Sequence, residues 1–99
     1  MTHQVHRKGD TLEIQLTGRI DQTGLANLKT TLGLAEAAKA RQVDLDFAGV
    51  SYIGSTGIAL LVQFYKHLNQ SGGKLRVRNL SSNIQEVFRT LKLDKVFDF

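Results

Sequence analysis

Two adjacent hydroxyls between glycines, Gly54-Ser55-Thr56-Gly57, stand where an apolar run ends and a long amphipathic helix begins. The free backbone N–H groups and the dipole of a helix start favour negative charge. A hydroxyl pair in this place can cap the helix, bind an anion or accept a phosphate. The stretch is not a nucleotide-binding P-loop, because the lysine and the second half of that pattern are missing. It is not a Gly-x-Ser-x-Gly nucleophile elbow either, since the central residue does not match. Residue types alone favour Ser55 or Thr56 as a plain N-cap over a functional hydroxyl.

Nucleophilic chemistry at these hydroxyls needs a base within hydrogen-bond reach. His3 and His6 fall in an edge strand and His67 on the polar side of a helix, so the sequence sets no histidine beside them. Asp21 comes near the site if the loop after the first full strand lies at the same sheet end, as parallel connectivity permits, and a cap or turn role ahead of the first helix suits it equally well. Two histidines without a third ligand make no metal site, and with no cysteine the chain has no thiolate ligand, thiol nucleophile or disulfide. No cofactor is expected.

The elements that position these groups follow from periodicity. Thr11-Leu12-Glu13-Ile14-Gln15-Leu16-Thr17 alternates with period two, as do Val43-Asp44-Leu45-Asp46-Phe47 and Lys74-Leu75-Arg76-Val77-Arg78. Each is a strand with one apolar and one polar face, so helices should cover mainly one side of the sheet. Lys74, Arg76 and Arg78 then lie on the wet face with Glu13, Asp44 and Asp46, where opposite charges stabilise one another modestly. A short strand around Gln4–Arg7 should join the first of these through the turn Lys8-Gly9-Asp10.

Helical spacing appears in Leu25, Leu28, Leu32 and Ala35, behind the start signals Thr23-Gly24. It returns in Ile58, Leu61, Val62, Tyr65 and Leu68, which predicts a helix over 56–70 stopped by Gly72 or Gly73. A third helix should start at Ser81 or Ser82 with Ile84, Val87, Phe88 and Leu91 as its apolar stripe, and Val96-Phe97 reads as a terminal strand or docked tail. Leu60 and Phe64 lie on a second face of the 56–70 helix, either roofed by a neighbour or free as an apolar strip for a partner. The order is ββαβαβα, an α/β fold with a mixed, mostly parallel sheet of four to five strands.

Ninety-nine residues make one domain, 1–99, with a modest core. No apolar run reaches the roughly 18 residues that span a bilayer, and the first residues lack the order of a signal peptide, so a soluble cytoplasmic protein without membrane insertion is expected. The formal charge is +4. Residues 51–99 carry seven basic side chains against three acidic ones, but they scatter over several elements instead of forming one basic face. Direct nucleic-acid binding is therefore not expected.

The run from Val43 to Leu61, with Leu16-Thr17-Gly18-Arg19-Ile20-Asp21 before it and Gly72-Gly73-Lys74-Leu75 and Val87-Phe88 after it, resembles the STAS domain family. The resemblance is to the bacterial anti-sigma factor antagonists and covers essentially the whole chain. It implies a STAS fold and a non-enzymatic signalling role in a partner-switching pathway. The partners it implies are an anti-sigma factor that doubles as a serine kinase, and a phosphatase; a homodimer is compatible with it. It implies a phosphoacceptor at Ser55 or Thr56, with Asp21, Gly54 and Gly57 as surroundings. Ile58, Leu60 and Phe64 would be the partner-binding residues. The family carries an aspartate just ahead of its hydroxyls, where this chain has Gly54. Some STAS domains serve instead as unphosphorylated subunits of larger complexes, lipid-transport ATPases among them. A nucleotide-binding protein is a third class, favoured only by the helix start.

Overall fold

The chain begins with a hairpin of β1 (Thr2–Lys8) and β2 (Thr11–Ile20), and continues through α1 (Leu25–Ala37), β3 (Gln42–Ile53), α2 (Ser55–Gln70), β4 (Lys74–Arg78) and α3 (Ser82–Thr90). A 3-10 turn at Leu93–Lys95 follows, in a computed structural model that describes residues 1–97. The four strands lie in the order β1-β2-β3-β4, with β1 antiparallel to β2 and the other neighbours parallel. This is the mixed, mostly parallel sheet that the alternation implies. Val96 and Phe97 form no strand; Phe97 is a docked tail, buried against Phe88 and Tyr65.

One face of the sheet carries the core. Leu12, Ile14, Leu16 and Ile20 of β2 are buried together with Val43, Leu45 and Phe47 of β3 and Leu75 and Val77 of β4. Burying each such side chain is worth roughly 1.5–3 kcal/mol. The Phe47 ring meets Phe88 of α3 edge-on at a centroid distance of 6.5 Å, which ties the last helix to the middle of the sheet. On the opposite face Gln15, Thr17, Arg76 and Arg78 are exposed. Asp44 belongs to that face, in register between Glu13 and Arg76, yet it is buried and accepts a hydrogen bond from Gln42 Nε2 at 3.0 Å.

Strand β3 is longer than its alternation. Past Phe47 the buried positions are Val50 and Ile53, three residues apart each time, because β3 holds an extra residue at two points. Gln15 pairs with Asp46 but Thr17 with Gly49, and Gly18 pairs with Val50 but Arg19 with Tyr52. These are β-bulges, which re-aim the side chains beyond them. β2 keeps a strict period of two throughout.

Helix α2 ends as Gly72 and Gly73 foreshadow. Gly72 takes φ +81° and donates to the Asn69 carbonyl at 3.0 Å, while Gly73 N–H reaches back to the Leu68 carbonyl at 2.9 Å. This double closure satisfies carbonyls that a helix end otherwise leaves open. Helix α3 departs from its expected stripe: Ile84 and Phe88 are buried, but Val87 and Leu91 are exposed. No helix among the described residues is long and apolar enough to cross a membrane.

Candidate functional site

The site begins with the way β3 hands over to α2. Gly54 N–H continues the ladder by donating to the Ile20 carbonyl at 2.9 Å, and the Gly54 carbonyl accepts the first helical bond from Ile58 N–H at 3.0 Å. Gly54 is therefore the N-cap, with an extended backbone and no side chain to cap with. This corrects the reading of Ser55 or Thr56 as the cap. Both hydroxyls lie one and two residues inside the helix, exposed, and neither takes part in a hydrogen bond among the described residues.

The last residue of the motif has a packing reason. A Cβ on Gly57 would stand 2.9 Å from Ile20 Cγ2 and 3.1 Å from Ile53 Cγ1, so only glycine lets the first turn of α2 rest on the ends of β2 and β3. Gly54 is under no such constraint. A Cβ there would meet nothing nearer than the Tyr52 hydroxyl at 3.5 Å, so the position has room for a side chain that the sequence does not supply.

A shallow depression of about 220 Å³ collects these groups, lined by Asp21, Gln22, Leu25, Tyr52 and the turn 54–57. Asp21 thus comes to the same end of the sheet as Ser55 and Thr56. It also organises the turn before α1: its Oδ1 accepts from the Thr23 hydroxyl at 2.6 Å and from Thr23 N–H at 3.1 Å, and its carbonyl accepts from Gly24 N–H at 3.0 Å. Arg19 Nε stands 3.5 Å from Asp21 Oδ2. The Thr23 hydroxyl first, then the Thr23 N–H and the Arg19 guanidinium, hold the Asp21 carboxyl below the usual carboxylate range against a smaller opposing effect of desolvation. The hydrogen bonds of Asp21 serve the turn before α1, and the residue lines the depression.

No histidine lines the depression. His67 sits between α1 and α2, and His3 and His6, three residues apart in β1, point to opposite faces of the strand. Among the described residues no group of three potential ligands could hold a metal ion. The chemistry available is that of two accessible acceptor hydroxyls beside a fixed carboxylate and an arginine.

The expected partner strip needs correction. Phe64 is 3% exposed and Ile58 7%. Both belong to the core, because α2 packs on α1 as well as on the sheet and so buries a wider arc than one stripe. Leu60, half-buried, is the only one of the three at a surface, on the rim of a groove of about 310 Å³ between α1 and α2.

Arg19 and Tyr52 went unassigned by spacing. The Arg19 Cζ lies 4.6 Å from the centre of the Tyr52 ring, a cation–π contact on the open side of the sheet. The signal for it is the pairing of Arg19 with Tyr52 across neighbouring strand ends, which exists only once the second bulge is counted.

Known proteins match this geometry. A family model described as "Mlab, STAS domain" matches residues 3–98. An anti-sigma-B factor antagonist of Staphylococcus epidermidis is 30% identical over 79 residues, covering 80% of this chain and 73% of that protein. Among solved structures, an anti-sigma-factor antagonist (STAS) domain protein from Planctomyces limnophilus superposes with a TM-score of 0.82 at 25% identity, covering 97% of this chain and 86% of the other. The Bacillus cell fate determinant SpoIIAA in its phosphorylated form shares the fold at a TM-score of 0.76 and 20% identity, over 97% of this chain and 88% of that one.

Proposed function

The chain belongs to the STAS domain family, and on that premise we propose that it is an anti-sigma factor antagonist-like signalling protein, a single domain over residues 1–99. In this reading it binds an anti-sigma factor that is also a serine kinase, and phosphorylation at Ser55 or Thr56 releases it. A phosphatase reverses the change, all in the cytoplasm. The protein itself catalyses nothing: the hydroxyl oxygen takes the γ-phosphoryl group of ATP held by the kinase, ADP leaves, and a base of the kinase takes the hydroxyl proton.

The observation that carries the reading is that both hydroxyls at the start of α2 are exposed and, among the described residues, bonded to nothing, because a glycine has taken the capping position. A phosphate there adds about −1.5 to −2 charge to a surface that a partner must desolvate. Tyr52, exposed beside the turn, and Leu25 line the same depression, and Leu60 lies one turn further along α2. The named relative is an antagonist of the same class, and a neighbour of the same fold has been seen phosphorylated.

A second reading, an unphosphorylated STAS subunit of a larger complex such as a lipid-transport ATPase, is favoured by Gly54, which leaves no carboxylate just ahead of the hydroxyls. Incubation with the kinase encoded nearest to this chain and ATP, followed by intact-mass and peptide analysis, separates the two. The switch requires a single added phosphate that maps to Ser55 or Thr56 and disappears in the matching alanine variant. An unchanged mass, or phosphate at another residue, removes the switch and leaves the subunit reading.

A further inference from the structure

Arg19 touches two residues of the depression, Tyr52 and Asp21, from outside it. Its side chain is 62% exposed, its guanidinium lies over the Tyr52 ring, and its one ionic contact among the described residues is the 3.5 Å approach to Asp21. We propose that Arg19 is a phosphate clamp: when a hydroxyl at the start of α2 carries a phosphate, the guanidinium passes from the Asp21 carboxylate to the phosphate while Tyr52 keeps it stacked in place. The inference rests on reading Ser55 or Thr56 as the acceptor.

Four features support the exchange. The Arg19–Asp21 pair is exposed and long, and such pairs hold weakly. Asp21 loses little when the arginine leaves, because Thr23 already donates to its carboxylate twice. A phosphate offers three acceptor oxygens and about two charges to a planar fork that a single distant oxygen does not fill. The cation–π contact holds the guanidinium over the ring face, where its N–H groups can still donate to an anion.

Gly54 gains a meaning from this. A carboxylate in the open space above Gly54 would lie against Tyr52, whose hydroxyl is 3.5 Å from the Cβ position, and would compete for Arg19. With glycine, Asp21 is the one rival carboxylate on the wall of the depression. The phosphate would otherwise face Asp21 with like charge and no counter-ion.

The test uses the full chain with phosphoserine installed during synthesis at position 55 and, in a second protein, at position 56. Because no kinase is involved, failure of the clamp is distinguishable from failure of the switch. Phosphorus NMR titration at low salt reads the second ionisation of the phosphate, near 6 for a free phosphomonoester. In at least one of the two proteins, Arg19→Gln should raise that pKa by about half a unit or more, since the dianion loses its counter-charge. Tyr52→Leu should give part of the rise, and Arg19→Lys should restore less than half of the loss, because an ammonium keeps the charge without the fork. Both residues are exposed, so the variants should keep the native circular dichroism. A phosphate pKa indifferent to Arg19→Gln at both positions, or fully preserved by Arg19→Lys, overturns the clamp.

Discussion

Helices α2 and α3 start alike and use their hydroxyls differently. Both N-caps have an extended backbone, φ −86° and ψ 170° at Gly54 and φ −63° and ψ 160° at Ser81. At α3 the hydroxyl is in the cap: Ser81 Oγ accepts from Ile84 N–H at 3.3 Å. At α2 the serine and threonine come one and two residues later, past the only place where a side chain can fold back on the first turn. The third helical residues differ too, Ile84 being a core side chain and Gly57 the absence of one. One helix start is built for stability and the other for access. A glycine N-cap is only a few tenths of a kcal/mol worse than serine, so freeing two hydroxyls costs the fold little.

The sharpest way to break this contrast is to give α2 the kind of third residue α3 has. Gly57→Leu drives a side chain into Ile20 and Ile53 and should lose about 1–3 kcal/mol in urea unfolding. A variant as stable as the parent would show that the close approach can relax. Next in size is the cap itself. Ser81→Ala should cost about 1 kcal/mol, whereas Ser55→Ala, which removes no bond, should stay within about 0.5 kcal/mol of the parent. Equal losses at the two serines would erase the distinction.

A smaller effect runs the other way. Gly54→Asp places a carboxylate in open space at an N-cap and should stabilise by a few tenths of a kcal/mol up to about 1, visible as a raised midpoint in thermal unfolding. The smallest concerns Asp21, whose carboxylate serves the turn before α1 and not the start of α2. Carbon NMR should find it titrating below its ordinary value of 3.8, and Thr23→Ala should move it upward. Since folding depresses this pKa, the stability it brings is present above 3.8 and is lost as the pH falls through the folded value. If Thr23→Ala leaves the titration in place, Asp21 is held by something other than its own turn.

Where period two persists, the fold could be read directly: Leu12, Ile14 and Leu16, or Leu75 and Val77, declare a face that is buried as declared. What stayed illegible depended on partners distant in sequence. The run from Ala48 to Ile53 does not alternate because its bulges are defined by pairing with β2, so the strand looked finished at Phe47. Phe64 looked spare because nothing in α2 announces how deeply α1 will roof it. The position of Ser55 and Thr56 near a helix start was evident, but a shift of one residue separates a cap from a free hydroxyl. That shift is set by the Gly54 bond to Ile20, across two strands.

The paired bulges give β3 a property akin to a reading frame. Each inserted residue shifts the count of the buried positions by one, from odd to even after Phe47 and back to odd at Ile53, while the side chains stay in step with β2. Deleting Ala48 would turn the first bulge into regular pairing and leave Tyr52 outward with Arg19 and Ile53 inward with Ile20. The register of the turn at Gly54 is thus inherited from extra residues held several positions upstream.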